Sequence, residues 1–91
     1  IVEAEKVEKT DNLLKLQIDL GNEKRQIIAG IAKYYSPDEL VGRQIIVVAN
    51  LEPATIRGVE SNGMLLAATD DEDNLALLGL DKAMPNGSKI S

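Results

Sequence analysis

Apolar and polar positions alternate most cleanly from Leu14 to Leu20. Leu14, Leu16, Ile18 and Leu20 fall on one side of an extended chain, and Lys15, Gln17 and Asp19 on the other. A period of two over this length predicts a half-buried strand. Gly21-Asn22 turns the chain, and Lys24 to Ala29 reads as the returning hairpin partner. Ile1 to Val7 is half apolar with little alternation and is expected to be a further strand, closed by turn residues from Lys9 to Asn12. The run from Ile45 to Ala49 has a different pattern. It is continuously apolar and rich in β-branched residues, which predicts a strand over 45–50 buried on both faces. Pro53 lacks the N–H of a ladder and ends that region. A second apolar run, Met64 to Ala68, follows Asn62-Gly63, the favoured pair where two successive residues need positive φ, so a tight turn is expected there. Ser36-Pro37-Asp38-Glu39 is a helix start: Ser36 can cap, Glu39 can bond back, and Pro37 at the first position loses no needed N–H. Gly42 soon stops the helix, leaving about one turn. Leu75 to Leu78 is a short apolar segment, Met84 to Ser88 a turn, and Lys89-Ile90 a last segment available for pairing.

Several short strands and one short helix predict an all-β domain, a small closed β structure. Pattern alone does not separate one small barrel type from another. Residues 1–91 form a single domain with no repeat and no linker. A chain this short buries only about 60–65% of its unfolded surface. The 44% hydrophobic content is enough for a core and argues against disorder. The first residue falls inside a strand pattern, so the chain is expected to be a fragment of something longer. No apolar run approaches the ~20 residues that span a membrane. No signal-peptide pattern opens the chain. Both point to a cytoplasmic protein without a membrane partner.

Composition removes several chemistries. With no cysteine and no histidine, thiolate catalysis, histidine bases and the common zinc sites are excluded within the chain. Asp70-Asp71-Glu72-Asp73 suggests calcium, but a helix–loop–helix calcium loop counted from Asp70 needs glycine where Leu75 stands. It reads as a solvated acidic loop. Glu60 and Asp70 could be paired on paper, yet nothing in the sequence brings them together. Gly58 and Gly63 do not make a phosphate loop. No catalytic residue, metal or cofactor is expected. The formal charge of −5 by itself opposes nucleic-acid binding. Distribution can outweigh that sum, because Lys15, Lys24, Arg25, Lys33, Arg43 and Arg57 lie in the middle, where a fold could gather them.

Arg57-Gly58-Val59-Glu60-Ser61-Asn62-Gly63-Met64-Leu65-Leu66-Ala67-Ala68 resembles the signature of the tRNA-binding OB-fold domain appended to aminoacyl-tRNA synthetases and found in free-standing tRNA-binding proteins. The upstream stretch from Gly30-Ile31-Ala32-Lys33-Tyr34-Tyr35 to Gly42 resembles the methionyl-tRNA synthetase branch; the phenylalanyl-tRNA synthetase β subunit shares the core signature. The likeness covers nearly the whole chain. It implies a five-stranded OB-fold barrel with a short helix and a C-terminal β extension.

It also implies site residues. Arg57 would hold phosphate or a base edge, Ser61 would bond the sugar-phosphate backbone, and Met64 would pack on a nucleotide. By themselves the three read as a solvated cation, a turn residue and a core methionine. Lys33 would contact tRNA, while Tyr34 and Tyr35, the whole aromatic content, are expected mainly to pack. Asn12, Lys15, Lys24 and Arg25 form a second set. There the family often reads Pro-Asn-Ala-Asp-Lys-Leu, whereas this chain has Asp11-Asn12-Leu13-Leu14-Lys15-Leu16: it lacks the proline and has Leu14 in place of an aspartate. Around Glu52 and Thr55 the family often carries lysine, so fewer phosphate contacts and weaker binding are expected. The resemblance implies a non-catalytic module of methionyl-tRNA synthetase that grips structured tRNA by shape and backbone, beside the catalytic core of its parent. A purely structural homodimerisation module, or the matching domain of the phenylalanyl enzyme, are the alternatives. Leu75, Leu77, Leu78, Leu80 and Met84, with the edge at Ile1 to Val7, are the expected dimer surface.

Overall fold

A computed structural model describes residues 1–90. Nine strands and one short helix follow in order: β1 (Glu3–Lys6), β2 (Leu14–Asp19), β3 (Lys24–Ala29), α1 (Pro37–Leu40), β4 (Val47–Val48), β5 (Ala54–Ile56), β6 (Val59–Ser61), β7 (Met64–Leu65), β8 (Ala67–Thr69) and β9 (Leu75–Leu77). The architecture is the expected small all-β domain. β1, β2 and β3 make one antiparallel sheet, and β4–β7, β5–β6 and β8–β9 make separate antiparallel pairs.

The alternation of β2 sets the core. Leu14 and Leu16 are fully buried, Ile18 nearly so, and Leu16 stands opposite the fully buried Ile27 of β3. Ile31 and Leu40 complete the cluster. Burying each such side chain stabilises by about 1.5–3 kcal/mol. Helix α1 is a single turn that delivers Leu40 into this cluster. Pro37 opens it, and the Ser36 N–H donates to Glu39 Oε1 at 3.1 Å, the back-bond of a capping box.

Three expectations need correction. The run at 45–50 is not buried on both faces: Ile45 to Ala49 are half-buried, and only Val47–Val48 is strand. The reason is coverage, since β4 has one ladder partner, β7, and its open flank borders the groove shared with Leu80, Met84 and Ile90. Asn62-Gly63 is not a hairpin turn. The Asn62 N–H donates to Gln26 O at 2.7 Å, which holds the chain along β3 and leads β6 into β7 around a corner. A Cβ at Gly63 would lie 3.0 Å from Val48 O, so this corner requires glycine for space. The tight turn is instead Arg57-Gly58, between β5 and β6, where both residues have positive φ (53° and 79°), as a type I′ turn demands. Lys89 and Ile90 form no strand.

The C-terminal segment is strapped to the sheet. Gln44 donates from Nε2 to Met84 O and to Asn86 Oδ1, and its Oε1 accepts from the Met84 N–H at 3.2 Å. Gly87 crosses the Leu20-Gly21 backbone so closely that a Cβ on Gly87 would collide with Leu20 O, and one on Gly21 with Asn86 O.

Candidate nucleic-acid interface

Arg57 occupies the first position of the β5–β6 turn and is exposed. Its neighbours across a groove are Lys15 and the β1 end, where Glu5, Lys6, Val7, Glu8 and Lys9 line the same depression. Four cations and two carboxylates therefore share one concavity. Lys15 already bonds Glu5 at 2.6 Å. Such a half-exposed pair contributes about 0–1 kcal/mol, so a phosphate could displace Glu5 at small cost. Lys6 and Lys9 were not distinguished in the sequence, because each is flanked by glutamate or valine and the local mean charge is near zero.

Asn12 and Lys33 are also brought together. The Ala32 N–H donates to Asn12 O at 2.9 Å, which docks the turn carrying Lys33 onto the β1–β2 loop. Lys33 and Asn12 are both exposed, and Tyr34 is 43% exposed beside Lys33. Tyr35 packs as expected: its Oη accepts from the Leu77 N–H at 3.1 Å, and the Arg43 guanidinium lies 5.3 Å over its ring. Arg57, Lys15, Lys6 and Lys9 thus share one groove, and Asn12 and Lys33 lie on two loops that meet at the Ala32 bond.

Met64 is 56% exposed, so it is not a core methionine. Ser61 is the opposite case. It is 4% exposed; its Oγ accepts from the Ile28 N–H at 3.0 Å and donates to Gly63 O at 3.2 Å. Arg25 donates from Nη1 to Ala49 O at 2.5 Å and to Asn62 O at 3.2 Å, and from Nε to Glu23 at 3.0 Å. Lys24 is exposed and lines a separate shallow depression with Asn50, Leu51 and Pro53. Asp71, Glu72 and Asp73 are exposed in the β8–β9 loop. Among the described residues there is no group of three or more acidic side chains placed to hold a metal ion. No helix among the described residues is long and apolar enough to cross a membrane.

The family model described as a tRNA binding domain matches residues 1–89. The chain belongs to this tRNA-binding domain family. Its relatives include the methionine–tRNA ligases of Methanocaldococcus jannaschii, 56% identical over 90 residues, and Thermotoga maritima, 57% identical over 91 residues. These alignments cover 99% and 100% of this domain but only 14% of either ligase, so the chain spans about a seventh of the curated relatives it matches. A MetRS related protein from Pyrococcus horikoshii has the same architecture, with a TM-score of 0.94 at 40% identity, covering 100% of this domain and 84% of that chain. The chaperone CsaA of Bacillus anthracis superposes with a TM-score of 0.88 at 33% identity, covering 99% of this domain and 83% of that chain. Four of the ten cations, Lys6, Lys9, Lys15 and Arg57, thus share one groove in a tRNA-binding domain whose net charge is negative.

Proposed function

We propose that this domain binds the backbone of structured tRNA along the run from Arg57 to Lys33, and that it serves the catalytic core of a methionine–tRNA ligase in the cytoplasm. The observation that carries this reading is the gathering of Arg57, Lys15, Lys6 and Lys9 around one groove in a tRNA-binding domain of net charge −5. Phosphate contacts supply affinity without sequence readout. The chain has only two aromatic residues, and one of them is engaged by Arg43 and Leu77, so stacking of a long single strand is a poor fit. Shape and 2′-hydroxyl contacts fit better. Tethering a weak binder to a catalytic core raises overall affinity through effective concentration.

The same reading includes a homodimer. Leu78, Leu80, Met84 and Ile90 are 38–59% exposed, and Val2 at the β1 edge is 41% exposed. These apolar side chains favour a two-fold interface built from the C-terminal segment and the first strand.

The test is an anisotropy titration of total tRNA from low to physiological salt, with light scattering on the same micromolar samples. Lys33→Ala and Arg57→Ala should each lower the salt slope by about one unit, as expected for one lost phosphate contact. Lys82→Ala, on the exposed C-terminal segment, should leave it unchanged. Equal loss in Lys82→Ala and Arg57→Ala would reduce the binding to diffuse attraction. A strict monomer with no tRNA binding at low salt would refute both parts.

A further inference from the structure

We propose that Arg25, Gln26 and Ser61 act in tRNA binding as positioning residues, a clasp between β3 and the β5–β6 hairpin that holds Arg57 in place, rather than as contacts to RNA. This rests on the reading of Arg57 as a phosphate contact. The hairpin lacks an apolar anchor: Ala54, Thr55, Ile56, Arg57, Gly58 and Glu60 are all exposed, and Val59 is half-buried. It also lacks a regular ladder to the main sheet, since β5 and β6 pair only with each other. Side-chain bonds between β3 and β6, beside the single backbone bond from the Asn62 N–H to Gln26 O, take the place of that ladder. Ser61 Oγ accepts from the buried Ile28 N–H at 3.0 Å. Gln26 Nε2 donates to Glu60 O at 2.7 Å, while Gln26 Oε1 accepts from Gln17 Nε2 at 3.1 Å, which steadies the amide from the core strand. Arg25 spans the two feet of the excursion, donating to Ala49 O before it and to Asn62 O after it. Glu23 occupies the Nε side of the same guanidinium. A serine hydroxyl with both roles satisfied inside and a guanidinium already bonded to a carboxylate and two carbonyls are poorly disposed to meet a phosphate. They are well disposed to fix the turn that presents one.

Arg25→Lys separates the two roles. A phosphate contact survives as lysine, because the charge remains; a planar group that holds Glu23 through Nε while Nη1 reaches Ala49 O and Asn62 O does not. The measurements are amide hydrogen exchange of the RNA-free domain over 54–62 and at Ile28, and tRNA titration with its salt slope, for Arg25→Lys, Gln26→Ala, Ser61→Ala and Arg57→Ala. Each clasp variant should speed exchange in the hairpin, leave Leu14, Leu16 and Ile27 protected, and weaken tRNA binding by about fivefold, the effect of one lost hydrogen bond. Arg57→Ala should weaken binding with the hairpin still protected. Arg25→Lys binding and exchanging like the parent domain overturns the clasp, as does Ser61→Ala with unchanged exchange. Faster exchange with undiminished binding in the clasp variants and in Arg57→Ala overturns the role in RNA binding, and traces the failure to the reading of Arg57.

Discussion

Two of the domain's hairpins are built on opposite principles. β2–β3 pairs six residues on each strand and buries Leu14, Leu16 and Ile27 completely. β5–β6 pairs three on each strand, exposes most of them and hangs from β3 by side-chain bonds. The first is held by the apolar area it removes from water, the second by a few directional bonds. Apolar burial is distributed over many atoms and tolerates small shifts; a clasp of three side chains is specific and fails one bond at a time. The proposed phosphate-binding arginine sits at the tip of the second. A binding loop on a rigid sheet can follow its ligand without disturbing the core.

The sharpest way to break this contrast is Leu16→Ala. It removes a fully buried side chain facing Ile27 and should destabilise the domain by about 3 kcal/mol in chemical denaturation. The tRNA salt slope of the fraction that remains folded should be unchanged. A loss below about 1 kcal/mol would put the core elsewhere. Gly58→Ala probes the other hairpin. Gly58 has a φ of 79° with open space around it, so the cost is backbone strain alone, about 1 kcal/mol. Because the strain is confined to the tip, tRNA binding should weaken more visibly than the melting temperature falls. The reverse order would mean that the tip is structural and the site lies elsewhere. The smallest effect belongs to a third hairpin, β8–β9. Asp70 is held below its ordinary pKa of 3.8 by hydrogen bonds from the Asn74 side chain and from the Asn74 and Glu72 amides. A carboxylate with a lowered folded pKa stabilises the fold above its unfolded value and loses that contribution as pH falls through the folded one. Thermal melts between pH 6 and pH 2 should show a small extra drop below about pH 4 that Asp70→Asn lacks. Identical pH profiles would mean that the loop geometry does not depend on the charge.

The contrast also explains what could be read in the sequence. β2 was legible because burial on one face writes a period of two, and α1 because proline and glutamate stand where a helix start needs them. The β5–β6 hairpin was not. Each strand is three residues long, Pro53 precedes it, and its turn places a non-glycine residue, Arg57, at positive φ. Asn62-Gly63 offered a better local turn signal, but Gln26 O captured the Asn62 amide, and the chain bends at Gly63 from β6 into β7 instead of closing a hairpin. Local propensity lost to a tertiary bond. Ser61 and Arg25 show the same limit at the site. Nothing in Arg-Gly-Val-Glu-Ser shows that the serine is buried, because the acceptor it provides serves an amide more than thirty positions earlier. Lys33, Arg57 and Met64 are exposed, as the contact roles proposed for them require.

The crossing of Gly87 over Leu20-Gly21 has a consequence in time. It joins residues 20–21 to residue 87, far apart along the chain, whereas β2–β3 closes over a few residues. Contacts between distant positions form late, because a long loop must close before they reward it. During synthesis the strap has no chance to dock until residue 87 has left the ribosome, when the β1–β3 sheet is already complete in sequence. The segment proposed to meet a second copy is therefore expected to be the last to settle, and pairing between nascent chains to wait for it.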